Sequence, residues 1–128
     1  MRSPLLRTVI LPVQISGPER TLLARLLLDT GATYVTIERA TAIDLGFDLD
    51  HPEVTTPLVG ATGVVQAPLF TATKVKVGDV VASGVRICAQ DLPDQARVEI
   101  DGLLGMSFLE HTIFTFDFKA KAFTMVDP

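Results

Sequence analysis

The chain has 128 residues and a mass of 13.8 kDa, with 48% hydrophobic residues, 20% charged residues and a formal net charge of −4. This length predicts a single domain spanning residues 1–128, and the composition predicts a packed core instead of disorder. The acidic balance, with a pI near 5.0, argues against a nucleic-acid partner, because binding phosphates needs clustered Lys and Arg. No apolar run approaches the roughly 20 residues of a membrane helix, so we expect no membrane partner.

The start of the chain and its single cysteine bear on location and on cofactors. Met1-Arg2-Ser3-Pro4 leads into alternating residues and not into an apolar signal-peptide core, which predicts a cytoplasmic protein, although the chain could be cut from a longer parent.

Cys88 is the only cysteine, which excludes an intrachain disulfide and a four-cysteine zinc site, and we expect it to be a buried hydrophobe. His51 and His111 are far apart in sequence. His51 is expected in a solvated loop, and His111 is expected to cap a helical turn or to lie at the surface. We therefore expect neither a metal nor another cofactor.

Apolar and polar residues alternate with a period of two over most of the chain, which is typical of strands. Strands predicted at 8–15 and 21–28 form a hairpin around a turn at 16–20, and Pro12 indicates an edge or a bulge. A short strand is predicted at 34–37. A helix over 38–45 follows, with acidic Glu38 near its start and Gly46 as its stop.

The second half of the chain continues the strand pattern. A long strand system over 55–78, broken at 60–63, is followed by a returning strand at 80–88. We expect Leu69, Thr71, Thr73, Val75 and Val77 to share one face. A loop or helical turn is expected at 91–99, helical turns at 106–111, and strands at 112–118 and 122–126. Three phenylalanines of the first of these strands are expected in the core: Phe114, Phe116 and Phe118. A closed barrel and a sandwich both fit this mostly β pattern.

The segment 26–33, Leu-Leu-Leu-Asp-Thr-Gly-Ala-Thr, delivers the Asp29 carboxylate from an apolar strand into a tight turn. Because burying an unpaired carboxylate is costly, Asp29 should lie in a cleft or be held by donors. Thr30 can bond locally through its hydroxyl, and Gly31 lacks a Cβ, so its backbone can approach a carboxylate or a substrate. The tripeptide alone is also compatible with an ordinary turn. A later segment, 101–109, places two apolar residues before a glycine and then begins a helical pattern.

Together these features resemble the retropepsin-like aspartic proteases, particularly the single-lobe bacterial type. The resemblance covers roughly residues 22–126 and implies a mostly β, closed-barrel-like fold with one or two short helices. Three elements carry it: residues 27–32 as the active-site turn, Gly60, Ala61, Thr62 and Gly63 as the flap tip, and Leu103, Leu104 and Gly105 as an apolar-apolar-glycine element packing behind the turn.

The resemblance implies an aspartic endopeptidase that needs no metal and no covalent intermediate. In this family two such turns face each other, and their aspartates, about 3 Å apart, share a proton and activate a water. The chain has one Asp-Thr-Gly, so the second carboxylate is expected to be Asp29 of another copy in a two-fold homodimer. Thr30 is then expected to bond across the axis. Thr62 and the amides of Ala61 and Gly63 are expected above an extended peptide or protein substrate.

Residues beside these motifs refine the expected chemistry. Ala32 stands where many two-lobed relatives carry a hydroxyl residue, and alanine cannot donate a hydrogen bond to the aspartate. We therefore expect a pH optimum nearer mildly acidic or neutral than strongly acidic. The apolar residues Val59, Val64 and Leu104 suggest apolar subsites.

Two other functions are compatible with the sequence. One is a catalytically silent dimerisation or peptide-binding domain of the same fold, and the other is a regulatory ligand-binding β domain in which Asp29 only makes a structural turn. The intact Asp-Thr-Gly favours the enzyme. Ser107 lies in Gly-Met-Ser-Phe-Leu, which lacks the final glycine of a serine-hydrolase elbow. The dimer interface is expected either at the chain ends, which interleave in viral relatives, or in the strands of region 74–88.

Overall fold

A computed structural model describes residues 9–60 and 63–128. The predicted positions at Thr8, Ala61 and Thr62 lie outside these residues. No helix in the described part is long and apolar enough to cross a membrane. The strands are β1 (Ile10–Ser16), β2 (Thr21–Leu28), β3 (Val35–Ile37), β4 (Val54–Gly60), β5 (Gly63–Val77), β6 (Val80–Ala89), β7 (Gly102–Leu104), β8 (Ile113–Asp117) and β9 (Ala122–Val126). The helices are α1 (Arg39–Leu45), α2 (Asp94–Arg97) and α3 (Met106–Leu109).

The main sheet closes into a barrel because β1 pairs with a strand on each side. The order around the ring is β1-β2-β7-β3-β6-β5, and residues 14–16 of β1 pair with residues 74–76 of β5 to complete it. β4 extends from β5 as the outer strand of a hairpin, while β8 and β9 form a separate two-stranded sheet. The predicted closed barrel is confirmed, and the sandwich is excluded.

The hairpin of β1 and β2 shows how the alternating sequence builds the barrel wall. Val13 and Ile15 of β1, and Ala24 and Leu26 of β2, point into the core and are nearly or fully buried, whereas Arg25 between them is exposed. Burying a side chain such as Leu26 stabilises the fold by about 2 kcal/mol. The alternation therefore determines which face of β2 points into the barrel core, along the strand that leads directly to residue 29.

The long β5–β6 ribbon departs from the predicted alternation. Ala72 is buried in the core, but the next buried residue is Val75, so this strand does not keep one face toward the core. The prediction of one shared face is therefore wrong for Leu69, Thr71, Thr73, Val75 and Val77. A similar change occurs in the paired strand β6. Its buried residues have even numbers before Gly84 and odd numbers from Val85 to Ile87. The φ of Gly84, 64°, lies in the left-handed region. Both paired strands therefore change, at the same level, which of their faces is turned toward the core.

Helix α1 spans Arg39–Leu45, close to the predicted 38–45, and Gly46 is its C-cap, as predicted. Glu38 occupies the N-cap position, but its side chain makes no capping hydrogen bond. The Glu38 Oε2 accepts a hydrogen bond from the N–H of Leu92 at 3.0 Å, and Oε1 lies 2.9 Å from Nε of Arg97. Glu38 therefore ties the segment around α2 to the start of α1.

The hairpin of β8 and β9 packs against the barrel at one end only. Phe114 contacts the barrel core, as predicted, and Phe116 is partly buried. Phe118 is 64% exposed, so its predicted place in the core is wrong. The reason is geometric: the hairpin extends past the barrel, and the period-two pattern continues beyond the part that the core covers.

Asp101 immediately precedes β7 and links this part of the chain to β2. Its Oδ2 accepts the N–H of Arg25 at 2.8 Å, and its Oδ1 lies 3.4 Å from the Arg25 guanidinium. Partial burial of Asp101 disfavours its charge, but these donors outweigh burial, so the pKa of Asp101 lies below its ordinary value of 3.8. A carboxyl with a lowered pKa in the folded state stabilises the fold above that ordinary value, and the contribution is lost as pH falls through the folded-state pKa.

Replacing Asp101 with asparagine should therefore lower the free energy of unfolding by about 1 kcal/mol at neutral pH, a modest value because the ion pair is partly exposed. The loss should be smaller at an acidic pH below the folded-state pKa, where the wild-type carboxyl is protonated as well. Urea denaturation at the two pH values measures the difference, with the exposed Asp44→Asn as control. An equal loss at both pH values would contradict the linkage.

Candidate active site

Asp29 directly follows β2, at the point where the strand leaves the barrel. Its backbone N–H donates to the carbonyl oxygen of Leu104 in β7 at 3.1 Å, and its Oδ1 accepts the N–H of Gly31 at 2.9 Å. The N–H of Ala32 donates to the carbonyl oxygen of Asp29 at 3.2 Å and closes the turn. The carboxylate is thus partly buried and fixed by its own turn, while Thr30 and Gly31 are exposed.

The segment 103–105 lies against this turn. Leu104 is the partner of Leu28 in the parallel pairing of β2 with β7, and the N–H of Met106 donates to the carbonyl oxygen of Ala32 at 2.8 Å. Gly105 passes so close to the backbone that a Cβ on it would lie 2.7 Å from the carbonyl oxygen of Ala32. The structure therefore brings together two of the three motifs that the sequence singles out.

Of the third motif, at 60–63, the structure describes the two ends, Gly60 at the end of β4 and Gly63 at the start of β5. Gly60 and Gly63 are paired at the tip of β4 and β5. A cavity of about 250 Å³ lies between β4 and the turn, with Gly31 and Tyr34 on one side and Leu58 on the other. A second cavity, of about 300 Å³, shares Leu58 with the first and extends to Arg39 and Asp91. The two cavities share the lining residues Leu58 and Gln90, and we call the pair of cavities the cleft.

The lining of the cleft corrects the predicted subsites. Leu104 is fully buried in the core, and Val59 and Val64 are 86% and 63% exposed. Leu58 and Leu103 line the cavity beside the turn. Each lies one position from a predicted residue, and in a strand one position reverses the direction of the side chain.

Cys88 forms part of the inner wall of the cavity. It is 2% exposed, and burial raises the pKa of its thiol to about 11. A thiol with this pKa is protonated at neutral pH and is a poor nucleophile. The prediction that Cys88 is a buried hydrophobe is confirmed.

The two histidines lie at the surface, as predicted. His51 is 2.8 Å from a carboxylate oxygen of Asp48, and this hydrogen bond raises the pKa of His51. His111 follows α3 and lies 3.9 Å from a carboxylate oxygen of Glu110. Among residues 9–60 and 63–128, no three His, Cys, Asp or Glu side chains are grouped closely enough to hold a metal ion.

Ser107 is a structural residue of the site that the sequence motifs missed. Its buried Oγ accepts the N–H of Val35 at 2.8 Å and donates to the carbonyl oxygen of Arg86 at 2.7 Å. Its backbone N–H donates to the carbonyl oxygen of Thr33 at 2.9 Å. One residue therefore joins α3 to β3, to β6 and to the turn after Asp29. In the sequence, this role is indicated by the position of Ser107 as a hydroxyl residue within the otherwise apolar α3.

Replacing Ser107 with alanine should lower the free energy of unfolding by about 2 kcal/mol, because the buried N–H of Val35 loses its acceptor. For a chain of this size, the melting temperature should fall by about 5–10 °C. Thermal denaturation measures the change, with the exposed Ser83→Ala as the matched control. If Ser107→Ala has the same melting temperature as Ser83→Ala, the two hydrogen bonds of the Ser107 hydroxyl do not stabilise the fold.

Comparison with known proteins gives a family and a fold. A family model described as aspartyl protease matches residues 11–108. The crystal structure of a retropepsin-like aspartic protease from Rickettsia conorii is similar with a TM-score of 0.66 and 24% sequence identity, over 93% of this chain and 89% of that chain. A search of curated proteins finds no match. At this identity the structural similarity supports the retropepsin-like fold.

Proposed function

The chain belongs to the aspartyl protease family, and we propose that two copies form a homodimeric endopeptidase in which paired Asp29 carboxylates activate a water. One observation carries this proposal. Asp29 is held by the N–H of Gly31 at 2.9 Å, and Gly31 and Ala32 of the same turn line the nearer cavity of the cleft.

The proposed chemistry follows from placing two carboxyl groups about 3 Å apart, where they cannot both ionise readily. The ionised group takes a proton from the bound water, and the water oxygen attacks the peptide carbonyl carbon. The neutral group donates a hydrogen bond to the oxyanion that forms. When the C–N bond breaks, the leaving nitrogen receives a proton from the pair, and the pair returns to its singly protonated state. The titration belongs to the pair and not to either group.

The second carboxylate is assigned to another copy because Asp101, the other acid followed by a glycine, is unsuitable. Asp101 is bound to Arg25, four residues before Asp29 along β2. At the rise of a strand, this separation is about 13 Å. A two-fold axis beside the turn would instead bring each Asp29 to the same residue of its partner. Exposed Thr30 would then be available to bond across the axis.

The cleft suits a peptide bound in an extended conformation. Thr56 and Leu58 of β4 line the cavity beside the turn, so a peptide there could add to β4 through backbone hydrogen bonds. The described lining of that cavity contains no charged side chain, whereas the more distant cavity includes Arg39 and Asp91. We therefore propose that uncharged residues occupy the positions next to the cleaved bond. Residues 60–63 would close over that bond as the flap.

The test is cleavage of a mixed peptide library by the purified chain, across pH and at rising protein concentration. We expect new peptide termini, an optimum in the mildly acidic to neutral range, and a specific activity that rises with concentration while dimers form. A pH profile that peaks near pH 2 would contradict the expectation based on Ala32. Peptide binding without cleavage at any pH or concentration would contradict the proposed protease function and favour the catalytically silent peptide-binding domain.

A further inference from the structure

We propose that the ion pair of Glu38 and Arg97 positions one wall of the cleft, and that long peptides depend on this wall for binding. The wall is formed by residues 90–97, which follow β6 and include α2, and we call them the wall segment. The inference rests on the proposed function, because it concerns how the peptide substrate is bound. It adds two positioning residues, and neither of them is among the residues that line the cleft.

The wall segment and the hairpin of β4 and β5 line the same cavities. Gln90 of the wall segment and Leu58 of β4 line both cavities of the cleft, and Asp91 lines the more distant one. Side chains on one face of an extended peptide are two residues and about 7 Å apart. A peptide whose side chain fills the nearer cavity can therefore place the side chain two positions further along in the more distant cavity, against the wall segment.

Apolar burial does little to hold the wall segment in place. None of its residues is buried, and only Leu92 and Ala96 are partly buried. The end of β6 just before it is different, because Cys88 and Ala89 are each 2% exposed. A segment with few buried apolar contacts opens locally at a lower free energy than the core does. The position of the wall segment therefore depends on its polar contacts.

These polar contacts converge on the two residues at the start of α1. Oε2 of Glu38 accepts the N–H of Leu92 at 3.0 Å, and Oε1 lies 2.9 Å from Nε of Arg97. The same Nε donates to the carbonyl oxygen of Leu92 at 3.0 Å. The N–H of Arg39 donates to Oδ1 of Asp91 at 3.1 Å. Glu38 thus holds the wall segment at two points, one of which is the ion pair.

The ion pair is shielded from water on the side of Glu38. The Glu38 side chain is 14% exposed, and its Oε1 is buried with no hydrogen-bond donor among the described residues. Arg97 compensates its charge and also lies 3.7 Å from carboxylate oxygens of Asp91 and Asp94. Such a network holds its members more firmly than an isolated surface pair does. Without Arg97, the carboxylate of Glu38 would turn toward water, and the N–H of Leu92 would lose its acceptor.

The experiment compares wild type with Arg97→Gln on a long and a short peptide that contain the same cleaved bond. A peptide cleaved in the mixed library is shortened one residue at a time from either end until the wild-type KM rises, which identifies the residue bound in the more distant cavity. We expect Arg97→Gln to raise KM for the long peptide about fivefold, the size expected for a partly exposed charge network. Its kcat should change by less than about twofold, and KM for the short peptide should stay the same.

Glu38→Gln provides a second variant, because its side-chain oxygen can still accept the N–H of Leu92 but carries no charge. It should raise KM for the long peptide as Arg97→Gln does, and the double variant should exceed neither single one, since both remove the same ion pair. Glu53→Gln is the matched control. It removes a different ion pair, with Arg86 at 3.7 Å, and Glu53 is not among the residues that line the cleft. Both peptides should keep their wild-type KM in this control.

Hydrogen exchange tests the wall segment independently of cleavage. The amides of residues 90–97 should exchange faster in Arg97→Gln and Glu38→Gln than in wild type, because local opening becomes easier. Exchange in the barrel strands should stay unchanged, and so should exchange throughout Glu53→Gln. Thermal denaturation of every variant shows that the chains compared are folded.

The outcomes separate the wall segment from the function. Unchanged exchange of residues 90–97, an unchanged KM for the long peptide, an equal rise for the short peptide, or an equal rise in Glu53→Gln would overturn the inference, while cleavage that depends on Asp29 would keep the protease. If wild type binds peptides without cleaving them, the dissociation constant replaces KM. Weaker binding of the long peptide alone by Arg97→Gln would then support the wall segment and reject the protease. A wild type that neither binds nor cleaves any peptide would reject both.

Discussion

Replacing Asp29 with asparagine should reduce peptide hydrolysis by about 10³-fold or more, the size expected when a positioned acid–base group is removed. Asparagine cannot take a proton from water, so every dimer of the variant lacks the ionised member of the pair. Its side-chain oxygen can still accept the N–H of Gly31, which Oδ1 of Asp29 accepts at 2.9 Å. The melting temperature should therefore change little, and activity should be lost without unfolding.

The matched control is Asp101→Asn, which removes the acid of the other Asp-Gly. It should lose modest stability but keep its hydrolysis, because Asp101 is bound to Arg25 and lies away from the turn. Hydrolysis by Asp29→Asn at the wild-type rate would reject the proposed chemistry and leave Asp29 as a structural turn residue.

Mixing the two chains tests whether the carboxylates come from different copies. With a ninefold excess of Asp29→Asn over wild type and random pairing, the activity per wild-type chain should fall about tenfold. Adding the same excess of Asp101→Asn should not suppress activity. A mixture in which wild type keeps its full activity would mean that a single copy suffices.

The strands were predictable because alternation is a local property that burial imposes on each strand. The hairpin of β1 and β2 and the stop of α1 at Gly46 follow from neighbouring residues. Closure of the barrel depends on the pairing of 14–16 with 74–76, which no local pattern reveals. It was expected only through the family resemblance.

The cleft was predicted less well because its lining depends on register. Leu58 and Val59 are both apolar, so composition cannot tell which faces the cavity. Ser107 was missed for a related reason. Its partners, Val35 and Arg86, are distant in sequence, and only the folded chain brings them to the hydroxyl. The exposure of Phe118 likewise depends on where the barrel ends.

Replacing Gly105 with alanine should strongly destabilise the fold, because the added methyl group has no space. Its carbon would lie 2.6 Å from the carbonyl carbon of Tyr34 and 2.7 Å from the carbonyl oxygen of Ala32, and would overlap the carbonyl oxygen of Tyr34. These are backbone atoms, which cannot rotate away as a side chain can. We expect a loss of about 3 kcal/mol or more, a large part of the stability of a small domain.

The same substitution should reduce hydrolysis more than the loss of folded protein explains. Relieving the overlap requires α3 to move away from the turn, and this would break the bond from the N–H of Met106 to the carbonyl oxygen of Ala32, now 2.8 Å. Gly78→Ala is the control, since nothing lies within 4 Å of its added carbon and its φ of 56° should cost only about 1–2 kcal/mol. Urea denaturation and hydrolysis at low temperature, where the remaining Gly105→Ala is folded, separate the two effects. If activity per folded Gly105→Ala chain equals that of Gly78→Ala, then the contact of Gly105 with the turn supports folding but does not position Asp29.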